Sequence, residues 1–240
     1  MKKLLILLIV ITGCNPVENN ELGRPPLIVM TFDDGHKSIY ELAFPLMKEN
    51  QFAGVNFIPT GIIGQPTMMK LSEVVELEKY GWETGGHTVN HANLTTISLD
   101  SARYEIRNNY EQLKAWGLKH NCFALPAGHS NNETDKIIKD YFKIIRTSQN
   151  ERYRYPLNLD RLGYYEVHKT DDIKSLLMRI DHGTIEGECL IILGFHRFCL
   201  NNPESVTEIE ISTFQELLTE IKKRSLMVVT LTEAIERLKK

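Results

Sequence analysis

The sequence predicts a distorted α/β barrel of about seven parallel strands, each followed by a helix. Three observations lead there. Short apolar runs alternate with amphipathic segments at close intervals, the pattern of repeated βαβ units. Seven or so such units suit a closed barrel better than an open sheet. The ionisable residues that stand out fall at the ends of the apolar runs, which is the end of a barrel that carries chemistry.

Leu27-Ile28-Val29-Met30-Thr31-Phe32 reads as the first buried strand, and Asp33-Asp34-Gly35 follows it directly. An unpaired buried carboxylate is very costly, so two in succession call for partners. Successive side chains at a strand end point to opposite sides, which lets one carboxylate bind a cation while its neighbour faces a reacting group. Residues 38–50 have helical spacing, 53–59 form a strand, and 71–80 form a helix closed by Gly81. A strand is expected over 83–87, and a long helix capped by Asp100 runs through Trp116. Residues 121–125 are a fourth strand, 133–141 a helix and 142–147 a fifth strand. Residues 149–165 form a polar connection, Asp171 and Asp172 open a helix, and 189–198 are a second strongly apolar strand. Helix 213–224, strand 226–230 and helix 232–238 complete the pattern. Trp82 and Trp116 read as core residues at helix ends.

A hydrophobic content of 42% and a charged content of 25% suit one globular domain. The formal net charge of -3 leaves no electrostatic footprint for nucleic acid, and nothing in the sequence specifies an oligomeric state. The start is different in character. Met1-Lys2-Lys3 is a basic n-region, residues 4–11 are a short apolar h-region, and Thr12-Gly13-Cys14 ends it. This resembles a bacterial lipoprotein signal, which implies lipidation of Cys14, a membrane anchor, and an exported protein of the bacterial cell envelope. The other readings of the same stretch are an ordinary secretory signal or an N-terminal anchor. The expected organisation is a signal peptide at 1–13, a tether at 14–26 and one catalytic domain at 27–240. Cys122, Cys189 and Cys199 are expected as buried free thiols, because the chain can build a core without staples, with one disulfide among them as the other reading in an oxidising compartment.

Gly85-Gly86-His87-Thr88-Val89-Asn90-His91 sets two histidines four apart. On a helical turn that spacing puts both imidazoles on one face, where they can share a metal. With one carboxylate they form a common catalytic zinc set that leaves a position open for water.

Thr31-Phe32-Asp33-Asp34-Gly35 followed by His87-Thr88-Val89-Asn90-His91 resembles the first two motifs of the polysaccharide deacetylases, the NodB-homology group or carbohydrate esterase family four. The resemblance implies a NodB-type barrel and a divalent metal held by Asp34, His87 and His91. Zinc is the first choice for that metal, and cobalt or nickel also suit the ligand set. It further implies that Asp33 is the general base. Leu193-Gly194-Phe195-His196 is similar to the late motif that supplies the general acid, here His196. The implied reaction is attack of metal-activated water on an acetyl carbonyl of an acetylated polysaccharide. The family's third motif is only partly present: Pro126-Ala127-Gly128 keeps its proline and glycine, as a substrate-binding turn, but its arginine and aromatic are missing. Arg161 is the candidate replacement, a cation that would keep Asp33 ionised, with a solvated loop arginine as the other reading. Two alternatives to a de-N-acetylase stay open: an O-acetyl polysaccharide esterase and a non-catalytic lipoprotein that binds glycan or metal.

Overall fold

The structure is a computed structural model and describes residues 25–149, 152–154, 157 and 161–239. The expected signal peptide, most of the tether and Cys14 lie outside the described residues. Among the described residues no helix is long and apolar enough to cross a membrane.

Seven parallel strands form one curled sheet. They are β1 (Leu27–Phe32), β2 (Val55–Ile58), β3 (Glu83–Gly86), β4 (Cys122–Ala124), β5 (Ile144–Arg146), β6 (Tyr165–Glu166) and β7 (Leu190–Phe195). Their order is β5-β4-β3-β2-β1-β7-β6, all neighbours parallel. The two edges then meet: Arg146 of β5 bridges Leu162, and the Thr147 N–H donates to the Leu162 carbonyl just ahead of β6. The sheet therefore curls into the expected barrel, with a short irregular seam. Part of the connection expected over 149–165 forms that seam.

β1 lies inside the sheet, between β2 and β7, and is apolar on both faces, as a strand covered on both sides must be. It pairs with β7 in unbroken register from Leu27↔Leu190 to Phe32↔Phe195. Its outward residues Ile28, Met30 and Phe32 join the core beneath the helices, while Val29 joins an inner core with Val55, Phe57, Ala124 and Ile192. Phe32 anchors an aromatic cluster, its ring 4.7 Å from Trp82 and 5.6 Å from Phe195. Burying each such side chain contributes about 1.5–3 kcal/mol. Trp82 is thus core, as expected, and Trp116 packs against the same core. No disulfide joins Cys122, Cys189 or Cys199; Cys122 is buried as expected, whereas Cys189 and Cys199 are only half-buried.

The helices are α1 (Phe44–Glu49), α2 (Leu71–Lys79), α3 (Leu99–Ala115), α4 (Asn132–Lys139), α5 (Ile173–Ile185), α6 (Ile211–Lys223) and α7 (Leu231–Leu238). A five-residue π-helix, Ile39–Ala43, leads into α1, where one regular helix was expected. α3 is capped by Ser98 and not by Asp100, because the Ser98 hydroxyl is the group that accepts the Ser101 N–H. Residues 226–230 are not a strand: only Val228 bridges Ile28, and Thr230 turns at once to cap α7. α7 closes the barrel where the strands begin, with the Thr232 N–H and hydroxyl both donating to Glu83 at the start of β3. Two further short strands, β8 (Arg197–Cys199) and β9 (Glu208–Glu210), form a separate parallel pair. Its Phe198 N–H donates to Ser38 Oγ, fixing the pair against the turn after β1.

Candidate active site

The opposite end of the barrel collects the ionisable residues. The Asp33 N–H still bonds the Phe195 carbonyl, so the β1–β7 ladder runs up to the first aspartate. Asp34 and Gly35 then take left-handed conformations, with φ of 71° and 68°. This turn sends the two carboxylates to different places. Gly35 suits it because a left-handed residue with a Cβ is strained, and that Cβ would press on Ile58 and Ile63.

Asp34 faces two imidazoles. Its Oδ1 lies 3.4 Å from His87 Nε2 and 3.1 Å from His91 Nε2. One ligand atom from each of the three residues lies within 4.8 Å of the others. The histidines do not sit on a helix, as their spacing suggested; Thr88 and His91 have φ of 63° and 56°, and the segment is a tight turn. The turn is held from α3. Glu105 Oε2 accepts the N–H groups of both Val89 and Asn90, and Asn109 Oδ1 accepts that of His87. Asn109 Nδ2 also donates to the Thr88 carbonyl. Glu105 and Asn109 are one helical turn apart, so a single face of α3 templates the loop.

The donor set fits a cation. His87 Nδ1 lies 2.8 Å from the Ala124 carbonyl, which can only accept, so Nδ1 carries the proton. Nε2 is then the ring nitrogen that faces Asp34, whose Oδ1 is itself buried without a hydrogen-bond partner. A buried, unpartnered carboxylate oxygen facing two imidazole nitrogens is a set that suits a cation, and an imidazole oriented by a carbonyl is the usual outer support of a metal ligand. Burial pulls the Asp34 carboxyl up, but His87 and His91 outweigh it and hold the group below the usual carboxylate range. Asp34 in turn raises the His91 imidazole.

Asp33 faces elsewhere. Its Oδ2 pairs with the guanidinium of Arg146 and lies 3.6 Å from His196 Nε2. Its Oδ1 is buried and has no hydrogen-bond partner. Both Asp33 and Arg146 are about 98% buried or more. His196, just past β7, also has Nε2 3.7 Å from Glu166 Oε1.

Arg161 does not replace the missing motif arginine. It pairs with Asp135 of α4 at 2.6 Å, where its long side chain stays partly in water. The cation beside Asp33 is Arg146, at the end of β5. Sequence reasoning missed it, although an arginine closing the apolar run Ile144-Ile145 has the same form as Asp33 closing β1 and His196 closing β7. Tyr164, Glu166, Glu105 and Asn109 were missed as well. Pro126–Gly128 is a 3₁₀ turn with Ala127 at φ 53°, following β4 and two residues beyond the carbonyl that orients His87.

A sequence profile described as polysaccharide deacetylase matches residues 21–142, about half of the chain. The chain belongs to the polysaccharide deacetylase family. It is 23% identical over 113 residues to YxkH of Bacillus subtilis, a protein assigned by its name to the polysaccharide deacetylases; the match covers 47% of this chain and 40% of that relative. Solved structures share the fold. The Streptococcus pyogenes deacetylase PplD, described in complex with acetate, superposes with a TM-score of 0.59 at 24% identity, over 63% of this chain and 69% of that one. The Xyl-CE4 domain of a xylanase from the hindgut metagenome of Trinervitermes trinervoides gives 0.63 at 17%, over 89% and 91%. A Bacillus anthracis family member described as a pseudoenzyme gives 0.63 at 18%, over 88% and 66%. These likenesses show a shared fold.

Proposed function

We propose that the protein is a metal-dependent hydrolase that removes acetyl groups from an N-acetylated polysaccharide at the cell surface or outside the cell. The observation that carries this reading is the division between two adjacent aspartates. Asp34 faces His87 and His91, and Asp33 faces Arg146 and His196. A cation-binding or glycan-binding protein has no use for a base and an acid beside its cation.

Asp34, His87 and His91 would hold a divalent cation, with zinc the first candidate, which would supply Lewis acidity toward the acetyl carbonyl and would lower the pKa of a bound water toward about 7. Asp33 Oδ1 accepts the proton of the attacking water, while Arg146 holds Oδ2 and leaves Oδ1 as the free oxygen. To the Ala127 N–H we assign donation to the acetyl oxygen, since the neighbouring Gly128 and His129 N–H groups already bond the Leu125 and Pro126 carbonyls. His196, as imidazolium, protonates the departing amine. The water oxygen joins the acetyl carbon, the C–N bond breaks, and acetate and a free amino sugar leave. The lipoprotein-like start leads us to propose attachment to the cell envelope through Cys14.

The test is acetate release by the purified protein, stripped of metal and then reloaded with zinc. N-acetylglucosamine oligomers and an O-acetylated xylan are offered side by side. Zinc-dependent release from the amide supports the proposal, release from the ester alone makes the protein an esterase, and stoichiometric zinc binding with no release makes it a binder.

A further inference from the structure

Tyr164 touches both halves of the site yet belongs to neither. Its hydroxyl donates to Glu166 Oε1 at 2.7 Å, the same oxygen that lies 3.7 Å from His196 Nε2. The face of its ring lies 4.1 Å from Cζ of Arg146, whose guanidinium holds Asp33. Phe57 contributes a second ring to Arg146 at 5.2 Å. The ring of Tyr164 is 4% exposed and occupies the space over Gly194, where a Cβ would come within 2.0 Å of it. Gly194 lies two residues before His196 and is paired in register with Glu166, so the notch that admits the ring is cut into the strand that carries the acid. The Tyr164 N–H is bonded to the Gln149 carbonyl, which fixes the ring's starting point beside the segment that follows β5.

We propose that Tyr164 is a positioning residue that couples the base arm to the acid arm. This rests on the function proposed above. The ring holds the guanidinium of Arg146 flat, so that Asp33 keeps one oxygen paired and the other turned to the reacting water. A face-on aromatic contact of this kind restricts a planar cation that would otherwise rotate away. The hydroxyl holds Glu166 Oε1 next to His196, which sets the direction of the imidazole before substrate arrives. Gly194 is what permits both, because any side chain there displaces the ring. Tyr164 moves no proton; it fixes the relative placement of the groups that do.

Two variants separate its two contacts. Tyr164→Phe keeps the ring and removes the donor to Glu166; kcat is expected to fall about tenfold with KM and bound zinc unchanged, the pattern of an interaction that matters at the transition state. Tyr164→Leu removes both contacts, and kcat is expected to fall roughly a further tenfold beyond the Phe variant. Gly194→Ala leaves the tyrosine in the chain and displaces it, and is expected to match the Leu variant. A loss confined to KM, or equal kcat in the parent and Tyr164→Phe, overturns the coupling. A parent with no activity on any acetylated glycan refutes the proposed function instead. The strut is then still read by unfolding: the losses in Tm of Tyr164→Leu and Arg146→Met are expected to fall short of additive when combined, and strict additivity rejects the contact.

Discussion

Arg146 at the end of β5 pairs its guanidinium with the carboxylate of Asp33, 113 residues away in sequence at the end of β1. Both are withdrawn from water, so each is tolerable only because of the other. Arg146→Met leaves a buried carboxylate uncompensated and is expected to destabilise the fold by about 3–5 kcal/mol, with acetate release abolished. Arg161→Ala breaks a partly exposed pair with Asp135 and is expected to cost about 1 kcal/mol or less, with activity close to the parent. Denaturant unfolding of both variants beside the parent checks the contrast; equal losses would return Arg161 to contention.

Much of this arrangement was legible in the sequence. Asp33, Asp34, His87, His91 and His196 come together because they lie at or just past the ends of β1, β3 and β7, and the parallel sheet brings those ends to one rim. Arg146 was not found because its pairing depends on closure between β5 and the seam at Leu162, a contact no local pattern encodes. The helical expectation for His87 and His91 failed for a related reason. Spacing of four is satisfied equally by a helix and by a turn, and here Glu105 and Asn109 of α3 supply the hydrogen bonds that make it a turn. Ser98 stands in place of Asp100 as the cap because the helix begins at Leu99, which leaves Asp100 inside the first turn and Ser98 where its hydroxyl accepts the Ser101 N–H.

Glu105 gives a prediction about the metal that does not depend on turnover. Its carboxylate accepts two backbone N–H groups of the histidine turn and the Asn90 side chain. Glu105→Ala is expected to weaken zinc binding by roughly 10- to 100-fold, as loss of an outer support generally does. Glu105→Gln, which keeps an acceptor for those N–H groups, is expected to recover most of it. Competition titration with a chromophoric chelator checks both values, and unchanged zinc affinity in the alanine variant would remove Glu105 from any supporting role.

Metal removal should register as lost stability. Ligand atoms of the three residues lie within 4.8 Å of one another, and Asp34 Oδ1 among them is buried without a hydrogen-bond partner, a need that a bound cation would meet. At free zinc about 100-fold above its Kd, the folded state gains about 2.7 kcal/mol. Thermal unfolding with zinc and then with excess chelator should show a clear fall in Tm, and Asp34→Ala and His87→Ala should show the low value under both conditions. A Tm indifferent to chelation in the parent would speak against a metal at these residues.

The central claim is that adjacent aspartates hold separate offices, Asp34 for the cation and Asp33 for the proton. Asp33→Asn tests it most directly, because it keeps the size of the side chain and leaves Asp34, His87 and His91 in place. Bound zinc and acetate release are measured on the same preparation. The expected result is zinc at the parent's stoichiometry and turnover lower by roughly 100- to 10,000-fold. Full zinc with turnover equal to the parent's would contradict the assignment of Asp33 as the base.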